Sequence, residues 1–189
     1  MILRRALAGE VLLTDENQLR LAFVETDAPA KVYEYAVLVT DTAYDTLAIA
    51  QLYRDRMVCV VRKDHPVIRE HITLEQFMQH SHARLEVAPH GMSGRVIDEA
   101  VARAGGKLHI AMLAQNYGAV LNTVAQSNLF AMVSERMLKS SRNPLALQIL
   151  EPPLKLPDMR MNLFWHERTH KDPRHRWFRQ LITTVAREL

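Results

Sequence analysis

One cysteine, Cys59, in 189 residues excludes an intramolecular disulfide. It lies in the apolar run 57–61, where a small buried hydrophobe is expected rather than a nucleophile, which needs exposure and a neighbouring base. No apolar stretch nears the roughly 20 residues that cross a bilayer. The opening residues turn charged at Glu10, too early for the apolar core of a signal peptide. The expectation is a soluble, cytoplasmic chain with no membrane partner. Glycine is scarce at six and proline at eight, with no repeat or biased tract, which sets aside collagen-like and disordered chains. Charge of one sign is lacking too: 24 Lys and Arg against 21 Asp and Glu leave +3. That is too little to mark a nucleic-acid binder by itself, although the pI of about 9.2 leans that way. Much of the basic excess falls between Arg160 and Arg187, where an amphipathic helix exposes it in any case. Common enzyme signatures are missing as well: no G-x-S-x-G elbow, no G-x-x-x-x-G-K loop, no G-x-G-x-x-G after a strand. Asp98 and Glu99 are adjacent on a helix and face apart, so they make no catalytic carboxylate pair.

What is present is an ordinary globular composition, 48% hydrophobic and 24% charged, with room for one large domain or two small lobes. Strand patterns at 33–41, 47–53 and 56–62 precede His65-Pro66, where proline breaks the run. Thr73 with Gln76 predicts a capping box before Leu74, Phe77 and Met78. A strand at 83–88 leads through the loop Pro89-His90-Gly91-Met92-Ser93 to a helix over 94–104, capped by Ser93 and stopped by Gly105-Gly106. A strand at 108–113 leads to Gln115-Asn116-Tyr117-Gly118 and a helix over 119–126. Strands at 128–133, 145–150 and 159–165 follow, with a Ser134-capped helix after the first of them. Asp172-Pro173 opens a last helix. Such alternation implies a parallel or mixed sheet with helices on its faces. The pattern suggests two lobes, 1–63 with 134–189 and 64–133, the chain crossing between them near 61–64 and 133–145. Residues 1–46 fit the pattern poorly. Loop–helix junctions at strand ends then point into a cleft between the lobes.

His166-Glu167-Arg168-Thr169-His170 spells the zinc-hydrolase pattern H-E-x-x-H. That chemistry needs both histidines on one helical face, with the glutamate activating a metal-bound water. Here the preceding MRMNLFW alternates like a strand, and Pro173 would break a helix running on from His166. No metal, cofactor or catalytic residue is therefore expected, and a zinc hydrolase stands only as an alternative.

Several stretches together resemble the effector-binding domain of the LysR-type bacterial transcription regulators. They are LYRDRMVCVVRKDHP (52–66), SGRVIDEAVARAG (93–105) and VAQSNLFAMVSER (124–136). The ending LFWHERTHKDPRHRWFR (163–179) is similar to the W-H-x-R…D-P-x-H-x-W-[LF]-R of one subgroup, and it accounts for the zinc-like pattern. The resemblance covers roughly residues 47–189. It implies a periplasmic-binding-protein-like α/β fold, two lobes joined by two crossovers, with an effector cleft between them. It further implies a non-enzymatic sensor of a small organic or aromatic acid that works as a homodimer or homotetramer. DNA would be reached only through a winged helix-turn-helix that is absent from this chain. By position the effector contacts fall on Pro89, His90, Met92, Ser93, Gln115, Asn116 and Tyr117, with Thr40 at a crossover. Each has a plainer role open to it: Ser93 as a helix cap, Tyr117 as core, His90 as a loop residue. Trp165 and Trp177 are expected to anchor packing. A solute-binding protein of the same fold is a further alternative.

Overall fold

A computed structural model describes residues 21–23, 35–39, 47–85, 92–140 and 145–188. In chain order these form β1 (Leu21–Phe23), β2 (Tyr35–Val39), β3 (Leu47–Asp55), β4 (Met57–Arg62), α1 (Leu74–Gln79), β5 (Ser81–Leu85) and α2 (Met92–Arg103). Then come β6 (His109–Ala114), α3 (Tyr117–Ala125), β7 (Ala131–Ser134), α4 (Glu135–Ser140), β8 (Leu147–Leu150) and β9 (Met159–His166), a 3-10 turn (Glu167–Thr169) and α5 (Pro173–Glu188). The chain divides into two compact units: a terminal unit, Met1–Asp55 with Met159–Leu189, and a central unit, Arg56–Asp158. The sequence places this division at 63/64 and 133/134; the structure draws it at 55/56 and 158/159. The difference comes from β4, which pairs with β7 and β8 far along the chain.

In the terminal unit the strand order is β1-β2-β9-β3, β1 and β2 parallel and β9 antiparallel to both its neighbours. The register slips between Gln51 and Tyr53, and Leu52, the residue passed over, is buried. Asp172 caps α5 as predicted, its Oδ1 accepting the N–H groups of Arg174 at 2.8 Å and His175 at 3.1 Å. Phe178, Ile182, Val185 and Ala186 recur at helical spacing and pack on Leu52, Leu163 and Trp165. Trp165 is the packing anchor the sequence suggests. Trp177 is not: it is 61% exposed, since five residues from Ile182 it lies on the far side of a 3.6-residue helix.

The central unit explains the continuous apolar run of β4. Val58 and Val60 pack into one core with Val120, Val124 and Val133, while Cys59 and Val61 point to the other, with Phe77, Ile97 and Phe130. A strand covered on both faces has no polar side to show. Burial pushes the Cys59 thiol up to about 12, leaving it protonated and inert. β4 lies between β7 and β8, antiparallel to each, and β5 runs parallel to β6. The two groups join at Phe130: Ala83 N–H donates to its carbonyl at 2.8 Å, and its own N–H donates to Ser81 O at 3.0 Å. β5 therefore begins at Ser81, where the sequence shows only polar residues after a helix. Their strand partners, His109 and Ile110 in β6, lie 28 residues on, and Phe130 lies further still.

The expected start of α1 and stop of α2 are found. Gln76 N–H donates to Thr73 Oγ1 at 3.2 Å, and Thr73 N–H to Gln76 Oε1 at 2.9 Å. After α2, Gly105 N–H bonds Ala102 O and Gly106 N–H bonds Val101 O, a Schellman pair that needs the left-handed φ of 80° at Gly105. Where the chain enters the central unit, Arg56 makes a bidentate ion pair with Glu135, Nε and Nη2 donating at 2.8 and 3.0 Å, while its Nη1 donates to both carboxylate oxygens of Glu151 at 2.6 and 2.7 Å. It thereby ties the entering strand to the start of the segment that leaves.

Candidate functional site

Gln115, Asn116 and Tyr117 sit where β6 gives way to α3, the junction the sequence singles out. Their roles differ. Asn116 is the helix cap, its Oδ1 accepting Ala119 N–H at 2.8 Å, so capping occupies that oxygen. Gln115 is exposed and Tyr117 half-buried. Pro89, His90 and Thr40 lie outside the described residues. Met92 and Ser93 open α2, and their side chains are likewise outside the description. Ser93 falls within the first turn and not at the cap, because α2 starts two residues earlier than expected.

Tyr117 borders a small cavity of about 20 Å³, shared with Arg84, Leu85, Gly94, Ile97 and Ile110. That is room for one water. Arg84 comes from the end of β5 and Gly94 from the first turn of α2, so three elements converge there. The guanidinium of Arg84 is held by Asp98, Nη1 to Oδ2 at 2.8 Å and Nη2 to Oδ1 at 2.5 Å. It lies over the start of α2: a Cβ placed on Gly94 would stand 3.7 Å from Nη1. His82 also lines the cavity, buried, its Nε2–H donating to Phe77 O at 2.7 Å. Burial lowers its pKa, and the backbone bond opposes that only in part, so the ring is neutral near pH 7. Among the lining residues, Arg84 is thus the permanent charge, set in walls that are otherwise apolar or neutral. Sequence reasoning passed over it. The available signal was an arginine inside the short strand Ala83-Arg84-Leu85, where a cation has to find a partner.

The zinc-like pattern has a structural explanation. His166 ends β9, and Glu167–Thr169 form a 3-10 turn, so His166 and His170 do not share an α-helical face. Both Nδ1 atoms already accept hydrogen bonds, His166 from Arg168 N–H at 3.1 Å and His170 from Trp165 Nε1–H at 3.2 Å. Arg179 completes a clamp: its guanidinium lies 4.7 Å over the Trp165 ring and donates to Thr169 O and His170 O. Among the described residues no group of three or more His, Cys, Asp or Glu could hold a metal ion, and none of the helices is long and apolar enough to cross a membrane.

Comparison with known proteins gives a consistent result. A family model described as the LysR substrate binding domain matches residues 17–187. The transcriptional activator NahR of Pseudomonas putida is 35% identical over 132 residues, which cover 70% of this chain and 43% of NahR. The chain therefore spans less than half the length of that relative. Among solved structures, the regulatory domain of MexT, a transcriptional activator in Pseudomonas aeruginosa, superposes with a TM-score of 0.68 at 20% identity, covering 81% of this chain and 74% of that one. The effector binding domain of QuiR in complex with shikimate gives a TM-score of 0.64 at 13% identity, covering 82% and 73%. These likenesses show the α/β, periplasmic-binding-protein-like fold that the resemblance implies.

Proposed function

The chain belongs to the LysR substrate binding domain family, and from that membership we propose that it is the effector-sensing part of a bacterial transcription regulator, taking a small organic or aromatic acid. The observation that supports an acid is the cavity beside Tyr117, where one arginine stands among apolar walls. A carboxylate satisfies the cation, and because the cavity holds only about one water, the ring or aliphatic body of the acid lies outside it, over its rim. The carboxylate shikimate in the QuiR domain is chemically of this kind. Pro89, His90, Met92, Ser93, Gln115 and Thr40 are the further contacts proposed, with Asn116 contributing through the helix it caps.

Such a sensor acts by binding and not by turnover. For an acid to change transcription it must bind two states of the assembly with different affinity, and the shift cannot exceed that difference. We place this step in a cytoplasmic homodimer or homotetramer that reaches DNA through a winged helix-turn-helix. The test is a thermal-shift panel of the purified chain against aromatic and aliphatic carboxylates, with and without zinc and chelator. A ligand at a hundredfold over its Kd adds about 2.7 kcal/mol to stability. One acid is expected to raise the Tm, the rise indifferent to chelator and diminished by His90→Ala or Tyr117→Ala. Silence across all the acids, or a rise that depends on zinc, would sink the reading.

A further inference from the structure

Resting on the acid-sensing reading, we propose that Arg84 is the residue that takes the ligand's carboxylate and that Asp98 is the internal carboxylate it gives up. The two halves of this exchange are visible in the ligand-free chain. Arg84 lines the cavity that Tyr117 borders, and its side chain is only 20% exposed. Asp98, its partner, is 51% exposed. The pair thus joins a largely buried side chain that lines the cavity to a carboxylate that is half exposed to water. Pairs as open as this contribute little net stability, because water solvates the released carboxylate nearly as well. Exchanging one carboxylate for another on the same planar fork keeps both N–H···O bonds, so the swap is close to neutral in the polar terms. What remains to favour the ligand is its apolar body, which Asp98 cannot supply and which would lie over the rim of this one-water cavity.

Placement on α2 fits the exchange. Gly94 and Asp98 are four residues apart and so share one face of this twelve-residue helix, one turn from each other. The guanidinium lies against both. A ligand carboxylate on the Gly94 side of Arg84 therefore meets the first turn of the helix, where backbone N–H groups and the helix dipole favour an anion. Asp98 itself sits a turn further in, where that field has faded.

The experiment compares benzoate and shikimate with their neutral amides, titrated calorimetrically into the unmodified chain and into Arg84→Gln, Arg84→Lys and Asp98→Asn. The variants' circular dichroism and Tm are checked first. Arg84→Gln is expected to weaken carboxylate binding about tenfold or more, the worth of a charge-assisted pair. Arg84→Lys keeps the charge but loses the fork and should fall between. Asp98→Asn is expected to tighten carboxylate binding, by about threefold, because a competitor is removed. A residue that merely held the fold together would weaken binding when lost, so this opposite sign is the discriminating result. The amides should be insensitive to all three changes. Carboxylate binding that survives Arg84→Gln unchanged, or that weakens in Asp98→Asn, overturns the exchange while leaving the acid-sensing reading in place. If neither acid nor amide binds the unmodified chain, both ideas fall for these ligands. If amide binds as well as acid, only the role of Arg84 does.

Discussion

Phe130→Ala is expected to cost the central unit about 3–5 kcal/mol, the range for emptying a large buried aromatic site. Phe130 is fully buried and placed where the β5–β6 pair meets the β4 sheet. Three imidazoles surround its ring: His80 stacks on it at 4.7 Å, and His65 and His82 meet it edge-on at 5.4 and 5.6 Å. Its backbone bonds to Ser81 and Ala83 survive the truncation, so strand order should persist while packing fails. The space left is walled by imidazole rings, two of them buried, and the neighbours cannot collapse into it without moving a strand. Urea unfolding followed by circular dichroism measures the loss. A cost below about 1.5 kcal/mol would mean that the site relaxes freely and that Phe130 is not the joint described.

Acidification from pH 7.5 to 5 is expected to destabilise the same region. His65 is buried, and its Nδ1 accepts Val67 N–H at 3.3 Å and Ile68 N–H at 3.0 Å, so the ring proton is on Nε2, facing Asn128 O at 3.4 Å. Protonating Nδ1 sets a proton against two donors. His82 is buried with Nε2–H on Phe77 O. Burial lowers the pKa of both, and the charged or titratable groups acting on them, Arg62 and His80 for His65, Arg84, His80 and His109 for His82, push the same way. The sign follows directly. Each native pKa lies below the unfolded value of about 6.5, so the unfolded chain binds more protons in the window beneath it. Stability is complete above about pH 6.5 and falls as the pH drops toward the native values, at no more than about 1.4 kcal/mol per pH unit for each histidine. Glu135, held down to about 2 by Arg56 and then by Lys139, loses its contribution only below its ordinary value near 4.5, outside this window. His65→Asn keeps an acceptor near the place of Nδ1, and His82→Gln keeps a donor near that of Nε2. The double variant should therefore flatten the Tm profile between pH 5 and 6.5. An unchanged slope in that variant would assign the acid sensitivity elsewhere.

How far these features could be read from residues alone depended on the range of the interactions involved. Local chemistry was legible: the Thr73–Gln76 box, the Gly105-Gly106 stop, the Asp172-Pro173 start and the strand context that disarms H-E-x-x-H all depend on neighbours within a few residues. The apolar run of β4 likewise announces burial on both faces. Pairings across the chain were not legible. The boundary of the central unit depends on β4 meeting β8, and the strand nature of Ser81 and His82 depends on His109 and Ile110 of β6 together with Phe130. In the site, the junction at 115–117 was found because a strand-to-helix turn is a local signal. Arg84 was passed over because its place in the cavity depends on what α2 and α3 bring beside it, which neighbours in sequence do not reveal.

The interrupted course of the terminal unit has a consequence for how the protein is made. β3 and β9 pair from Leu47 with His166 to Asp55 with Met159, across the entire central unit. Closing about a hundred disordered residues costs about 4 kcal/mol of chain entropy before any contact rewards it. A central unit already folded shortens that loop, because Arg56 and Glu151 bring the entering and leaving segments together. Trp165 and Trp177 both belong to the terminal unit, so tryptophan fluorescence should lag amide protection of β4 in a refolding experiment, and simultaneous phases would refute this order. On the ribosome, β3 emerges long before β9, the strand that pairs with it in the finished sheet. Throughout synthesis of the central unit it is an unpaired edge, the segment most in need of a chaperone until the last strand arrives.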